Sequence, residues 1–134
     1  GGGSPEVIEA FGKFGRLLGM IIILRDDLID MIDFEELVHR INREHLPLPI
    51  LYALQNPKFK STLNSTLLKK EITEGDAETI LDVTEKAEGF KRFRTVMDGM
   101  AKEILQPLTL LRYRKREFTL IVKSILLPLD ELHL

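Results

Sequence analysis

Cysteine is absent from the 134-residue chain, which has only three histidines. Disulfides, thiolate zinc sites, iron–sulfur clusters and cysteine nucleophiles are thereby excluded. His39, His45 and His133 are spread too widely for a histidine-rich metal site. A large charge of one sign is also missing. The 19 basic and 21 acidic residues leave a net charge of −2, without the positive excess of a nucleic-acid or anionic-membrane binder. The longest apolar-plus-glycine run, Leu17 to Leu24, is too short to cross a bilayer, so no transmembrane segment is expected. Gly1-Gly2-Gly3-Ser4 does not read as a signal peptide, and a cytoplasmic protein is expected. Since the chain does not begin with Met, its natural start is expected elsewhere.

What is present suits a single globular domain over 1–134, with 44% hydrophobic and 30% charged residues. Ser4-Pro5-Glu6 reads as a helix start: a hydroxyl cap, a proline at the first helical position and an acid at the positive dipole end. Apolar residues recur through Phe11, Phe14, Leu17, Leu18, Ile21 and Ile22. This pattern predicts a helix ending near Asp33, apolar nearly all round in its second half and therefore buried there. Gly12, Gly15 and Gly19 share one flank and are expected to admit a close-packed neighbouring helix.

Further on, Phe34 to Arg43 is helix or loop, and Met31 to Pro49 as a whole reads as a mobile, acid-rich surface segment. A short helix is predicted from about Pro49 to Leu54, and Asn56-Pro57 signals a turn. Phe59 to Leu68 reads as a helix with Leu63 and Leu67 inward. Thr73-Glu74-Gly75-Asp76 opens another, with Ala77, Ile80 and Leu81 giving its period. Gly89 marks a break, Phe90 to Leu111 a long helix that Pro107 is able to kink near its end, and Glu117 to Leu127 the last helix. No run alternates like a strand. The fold class is all-α, a helical bundle of six or seven helices.

One segment carries chemistry. Asp26, Asp27, Asp30, Asp33, Glu35 and Glu36 follow the most apolar stretch, with no basic residue among them. Asp26 and Asp30 share a helix face, and acids near a helix C-terminus oppose its dipole. Such carboxylates repel one another unless a cation neutralises them, and a hard divalent ion with oxygen ligands would do so. The other reading is a solvated acidic helix end.

Phe14-Gly15-Arg16-Leu17-Leu18-Gly19 followed by Asp26-Asp27-Leu28-Ile29-Asp30 resembles the second aspartate-rich motif of the trans-type isoprenyl (polyprenyl) diphosphate synthases. Gly3-Ser4-Pro5-Glu6, Leu48-Pro49-Ile50-Leu51-Tyr52-Ala53-Leu54 and Ile72-Thr73-Glu74-Gly75-Asp76 resemble further stretches of that family, in the same order. The resemblance implies the C-terminal half of an isoprenoid-synthase-type fold. It also implies a prenyltransferase of isoprenoid biosynthesis, which uses magnesium to condense an allylic diphosphate with isopentenyl diphosphate. By position, Asp26, Asp27 and Asp30 would be the metal residues, with Asp26 and Asp30 the ligands. A homodimer, or a missing N-terminal half, is the implied partner, and this chain alone should be inactive.

Departures from the pattern set limits on this. The family has Phe-Gln before the motif, where this chain has Ile22-Ile23. It has Gly-Lys segments after the motif and before Leu-Pro, whereas no lysine lies between Asp26 and Pro57 here. Arg43-Glu44-His45 falls where the second Gly-Lys would lie. Arg40, Arg43 and His45 are therefore the candidates for a substrate diphosphate, with ordinary surface positions the alternative for the arginines. The basic cluster Arg112, Arg114, Lys115 and Arg116 around Tyr113 reads as a solvated helix junction. No paired nucleophile is visible, and no catalytic residue is assigned. The alternative function is a non-catalytic partner subunit or scaffold derived from the same family.

Overall fold

A computed structural model describes residues 3–106 and 115–131. Among them are seven helices and no strand: α1 (Pro5–Ile32), α2 (Phe34–Asn42), α3 (Leu48–Leu54), α4 (Pro57–Leu67), α5 (Glu74–Lys86), α6 (Gly89–Leu105) and α7 (Lys115–Glu131). The all-α expectation holds. Pro107, Leu108, Leu111, Arg112, Tyr113, Arg114 and His133 lie outside the described residues.

The helix starts follow from local chemistry. Ser4 Oγ accepts from the Val7 amide at 3.3 Å, ahead of Pro5. Asn56 Oδ1 accepts from Lys58 N at 3.1 Å, so the Asn56-Pro57 turn is also the cap of α4. Thr73 and Asp76 form a reciprocal capping box at α5. Lys69 Nζ lies 2.6 Å from Asp76 Oδ1 and completes that corner. The Lys69 hydrogen bond, followed by the Thr73 amide, lowers the Asp76 pKa to about 2.

The chain divides into two compact units, residues 1–25 with 96–134, and residues 26–95. In the first, Phe14, Ile21, Met97, Ile104 and Val122 are buried, and the Phe118 ring lies 4.8 Å from the Phe14 ring. Only one face of α1 is covered there. Ile21 is fully buried, but Ile23 on the other face is 65% exposed, so the all-round burial expected of Leu17 to Leu24 is corrected. The glycine flank is corrected too. A Cβ at Gly15 or Gly19 would meet no atom within 4 Å, and no helix among the described residues packs against them.

In the second unit, α3 packs on α4 and α5, and α2 on α5. Leu37, Ile50, Leu63, Ile80 and Phe93 form its core. The segment after Met31 is not a loop. Phe34, Leu37, Val38 and Ile41 recur at helical spacing, and Leu37 and Ile41 are buried. Leu67 is only half-buried, and Thr66 takes the inward place beside Leu63. At the α5–α6 connection Glu88 adopts φ 60°, and α6 begins at Gly89. A Cβ at Gly89 would collide with the Pro49 carbonyl oxygen, so α6 starts hard against α3 because residue 89 has no side chain.

Candidate functional site

The acidic segment is divided between several tasks. Asp33 sits in the one-residue junction between α1 and α2, and its Oδ1 accepts from Glu36 N at 3.1 Å. It is the N-cap of α2. Glu35 and Glu36 occupy the first turn of that helix, where acids complement its dipole. Asp-x-x-Glu across positions 33 to 36 is a capping signature that the acidic clustering concealed.

Asp27 and Asp30 are held by Arg40 of α2. Its Nε donates to Asp30 Oδ2 at 3.1 Å, and its second terminal nitrogen donates to Asp27 Oδ1. The remaining terminal nitrogen donates to the His45 carbonyl at 3.3 Å. The other Asp27 oxygen accepts from the Leu48 backbone amide at 3.1 Å. One cation thereby ties the end of α1 to α2, and Asp27 ties it onward to the start of α3. Side-chain exposures are 23% for Arg40, 14% for Asp27 and 29% for Asp30, so the cluster is substantially desolvated. That burial works against the guanidinium charge. Hydrogen bonding to Asp27 and the charges of Asp27 and Asp30 outweigh it and raise the Arg40 pKa.

Asp26 is exposed. Arg43 and His45 are exposed at the end of α2 and just beyond it. Glu44 takes φ 58°, the left-handed conformation that favours glycine. This occurs in the Arg43-Glu44-His45 segment, where the family resemblance expects Gly-Lys. Among the described residues, no three His, Asp or Glu side chains form a group that could hold a metal ion. The pair Asp27 and Asp30 does not fit magnesium as arranged, because the guanidinium takes an oxygen from each and an amide takes another. A surface cleft of about 390 Å3 lies between α2 and the segment before α5, lined in part by Phe34, Val38, Lys70 and Ile72. None of the candidate residues lines it.

Two side-chain pairings had no sequence signal beyond ordinary composition. Arg92 stacks 4.3 Å from the centre of the Tyr52 ring and donates to Gln55 Oε1 at 2.8 Å. They tie α6 to α3 within the second unit and fix Tyr52 of the Leu-Pro-x-x-Tyr-Ala-Leu stretch.

No family model matches the chain, and no solved structure does. A curated protein does match, the heptaprenyl diphosphate synthase component 2 of Bacillus subtilis (strain 168). It is 29% identical over 121 residues, covering 86% of this chain and 34% of that protein. The chain is similar to a polyprenyl synthase component. It spans about a third of the length of that relative. The likeness extends over most of the chain and supports a relation to the polyprenyl synthases. No described helix is long and apolar enough to cross a membrane.

Proposed function

We propose that this chain is part of an isoprenyl diphosphate synthase and serves isoprenoid biosynthesis as a component that does not turn over by itself. The observation that carries this reading is the likeness, over most of the chain, to a heptaprenyl diphosphate synthase component of which the match covers 34%. The Asp26-Asp27-x-x-Asp30 segment at the end of α1 supports it. In the proposed reaction the carbon–oxygen bond of an allylic diphosphate breaks, the double bond of isopentenyl diphosphate attacks the allylic carbon, and the resulting cation loses a proton to the released diphosphate to form the new double bond. The departing diphosphate needs concentrated positive charge. Arg43 and His45 are exposed beside the Arg40 cluster and would meet an anion there, but they cannot supply that charge alone. Residues beyond these 134 have to supply the rest, and no step is assigned to a metal at Asp27 and Asp30.

A second reading, a non-catalytic partner subunit, is favoured by one specific observation. Asp27 and Asp30 are engaged by Arg40, in a chain with no lysine from Asp26 to Pro57. The test is incubation with allylic and isopentenyl diphosphates and magnesium, for this chain alone and joined to its neighbouring coding sequence. Turnover only by the longer protein supports the first reading. Failure of both, with an upstream segment lacking a second Asp-Asp-x-x-Asp and its Arg-Arg-Gly, supports the partner subunit. Turnover by this chain alone overturns both.

A further inference from the structure

We propose that Arg40 is the resident cation of the Asp27–Asp30 pair, so that the junction of α1, α2 and α3 is held without a divalent metal ion. The inference does not rest on the functional reading above. It rests on how the donors and acceptors are used.

Two carboxylates ten and thirteen residues before Arg40 converge on its one guanidinium. A guanidinium presents donors in a fixed planar fork, and here different nitrogens serve the two acids. The fork bridges the carboxylates rather than pairing with one of them. Its third contact, to the His45 carbonyl, anchors the chain that leads from α2 to α3. Both Asp27 oxygens have a donor, since Leu48 N takes the second one.

A magnesium ion asks for a different arrangement. It requires near-octahedral oxygen ligation at roughly 2.0–2.1 Å, usually with several waters retained. To reach both acids it would have to displace a charge-assisted fork and compete with the Leu48 amide. Charge gives the same answer. Two carboxylates and one guanidinium leave one net negative charge, whereas two carboxylates alone leave two in a cluster that is mostly out of water. Loss of the guanidinium charge is therefore the condition under which a divalent ion becomes stabilising.

The test is thermal unfolding of the 134-residue chain at fixed ionic strength, in EDTA or in millimolar magnesium chloride. A ligand that binds only the folded state raises Tm, so the difference between the two buffers reads metal binding directly. The wild type should show no difference. Arg40→Met should lower Tm in EDTA by about 5 °C or more and recover a substantial part of the loss in magnesium. Adding Asp27→Asn and Asp30→Asn to Arg40→Met should abolish the magnesium response. Arg40→Lys keeps the charge without the fork, so it should be less stable than wild type yet still indifferent to magnesium. It decides the question if Arg40→Met does not fold. A wild type raised by magnesium overturns the proposal. So does an Arg40→Met variant as stable as wild type, or an Arg40→Lys variant that needs the metal. No substrate is present, so the outcome stands apart from the turnover assay.

Discussion

The Leu48 backbone N–H donates to Asp27 Oδ2 at 3.1 Å, so the start of α3 is held by the same carboxylate that Arg40 grips. α3 has no side-chain cap of its own, because Pro47 stands at its N-cap position. Asp27 takes over part of that task from 21 residues away. Removing it leaves Arg40 with half its counter-charge and the Leu48 amide without its acceptor. Asp27→Ala should therefore cost about 2 kcal/mol, the range for hydrogen bonds to charged groups. Glu78→Ala, at an exposed position of α5, should stay within about 0.5 kcal/mol of wild type. Urea unfolding with an unchanged slope checks both. Equal losses for the two variants would remove Asp27 from its place in the junction.

Acid should act through Asp76. Lys69 and the Thr73 amide favour its charged form and hold its pKa at about 2, below the ordinary 3.8. A depressed carboxylate pKa stabilises the folded state above the unfolded-state value. That contribution is complete above about pH 4 and fades as pH falls from there towards about 2. Asp76→Asn should be less stable than wild type at neutral pH, with the gap closing across this window. Unfolding midpoints from pH 2 to pH 6 would show it, and a gap independent of pH would refute the assignment.

The sequence disclosed the helices wherever a start was written locally. Ser4-Pro5 and Thr73-x-x-Asp76 mark observed starts, whereas Asn56-Pro57, read as a turn before a helix from Phe59, is itself the start of α4. At α2 the sequence left helix and loop both open, because the acidic run overlaps the helical spacing of Phe34, Leu37, Val38 and Ile41. Asp33 counted there only as one acid of the run, and the structure makes it the cap of α2. The Asp27–Arg40–Asp30 cluster was out of reach for another reason. The need for a cation could be read from Asp26 to Asp30, but its source could not. Arg40 lies on another helix, and its approach depends on the junction at Asp33. The glycine flank misled in the opposite sense. Small residues on one helix face permit close packing, but permission does not supply a neighbour, and Gly15 and Gly19 face none among the described residues.

Glu44 and Glu88 are the two described non-glycine residues with positive φ, at 58° and 60°. A side chain in that conformation crowds the following carbonyl, and glycine does not. Each ends a helix where a left-handed residue is commonly glycine. Glu44→Gly and Glu88→Gly should each stabilise the chain by about 0.5–1 kcal/mol, less whatever the Glu88–Lys91 pair contributes in the second case. Thermal unfolding of both variants checks this. Destabilisation of Glu44→Gly would mean that its side chain, exposed in the structure, supports the end of α2 in some other way.

Alanine should have opposite effects at Gly89 and Gly15. At Gly89 the new methyl would collide with the Pro49 carbonyl oxygen and come within 2.9 Å of Thr84 Cγ2. Neither can withdraw easily. The carbonyl belongs to the backbone of α3, and Thr84 is fully buried with its hydroxyl donating to the Ile80 carbonyl at 2.6 Å. Overpacking of this kind costs typically about 1–3 kcal/mol, so Gly89→Ala should be destabilising although alanine is the better helix former. At Gly15, deep within α1, the methyl meets nothing within 4 Å. Only the helix preference remains, and Gly15→Ala should stabilise the isolated chain by roughly 0.5–1 kcal/mol. The pair can be measured side by side by urea denaturation. If Gly15→Ala destabilises the chain as Gly89→Ala does, something packs against that flank of α1 in solution, and sizing the wild type by light scattering would then show association.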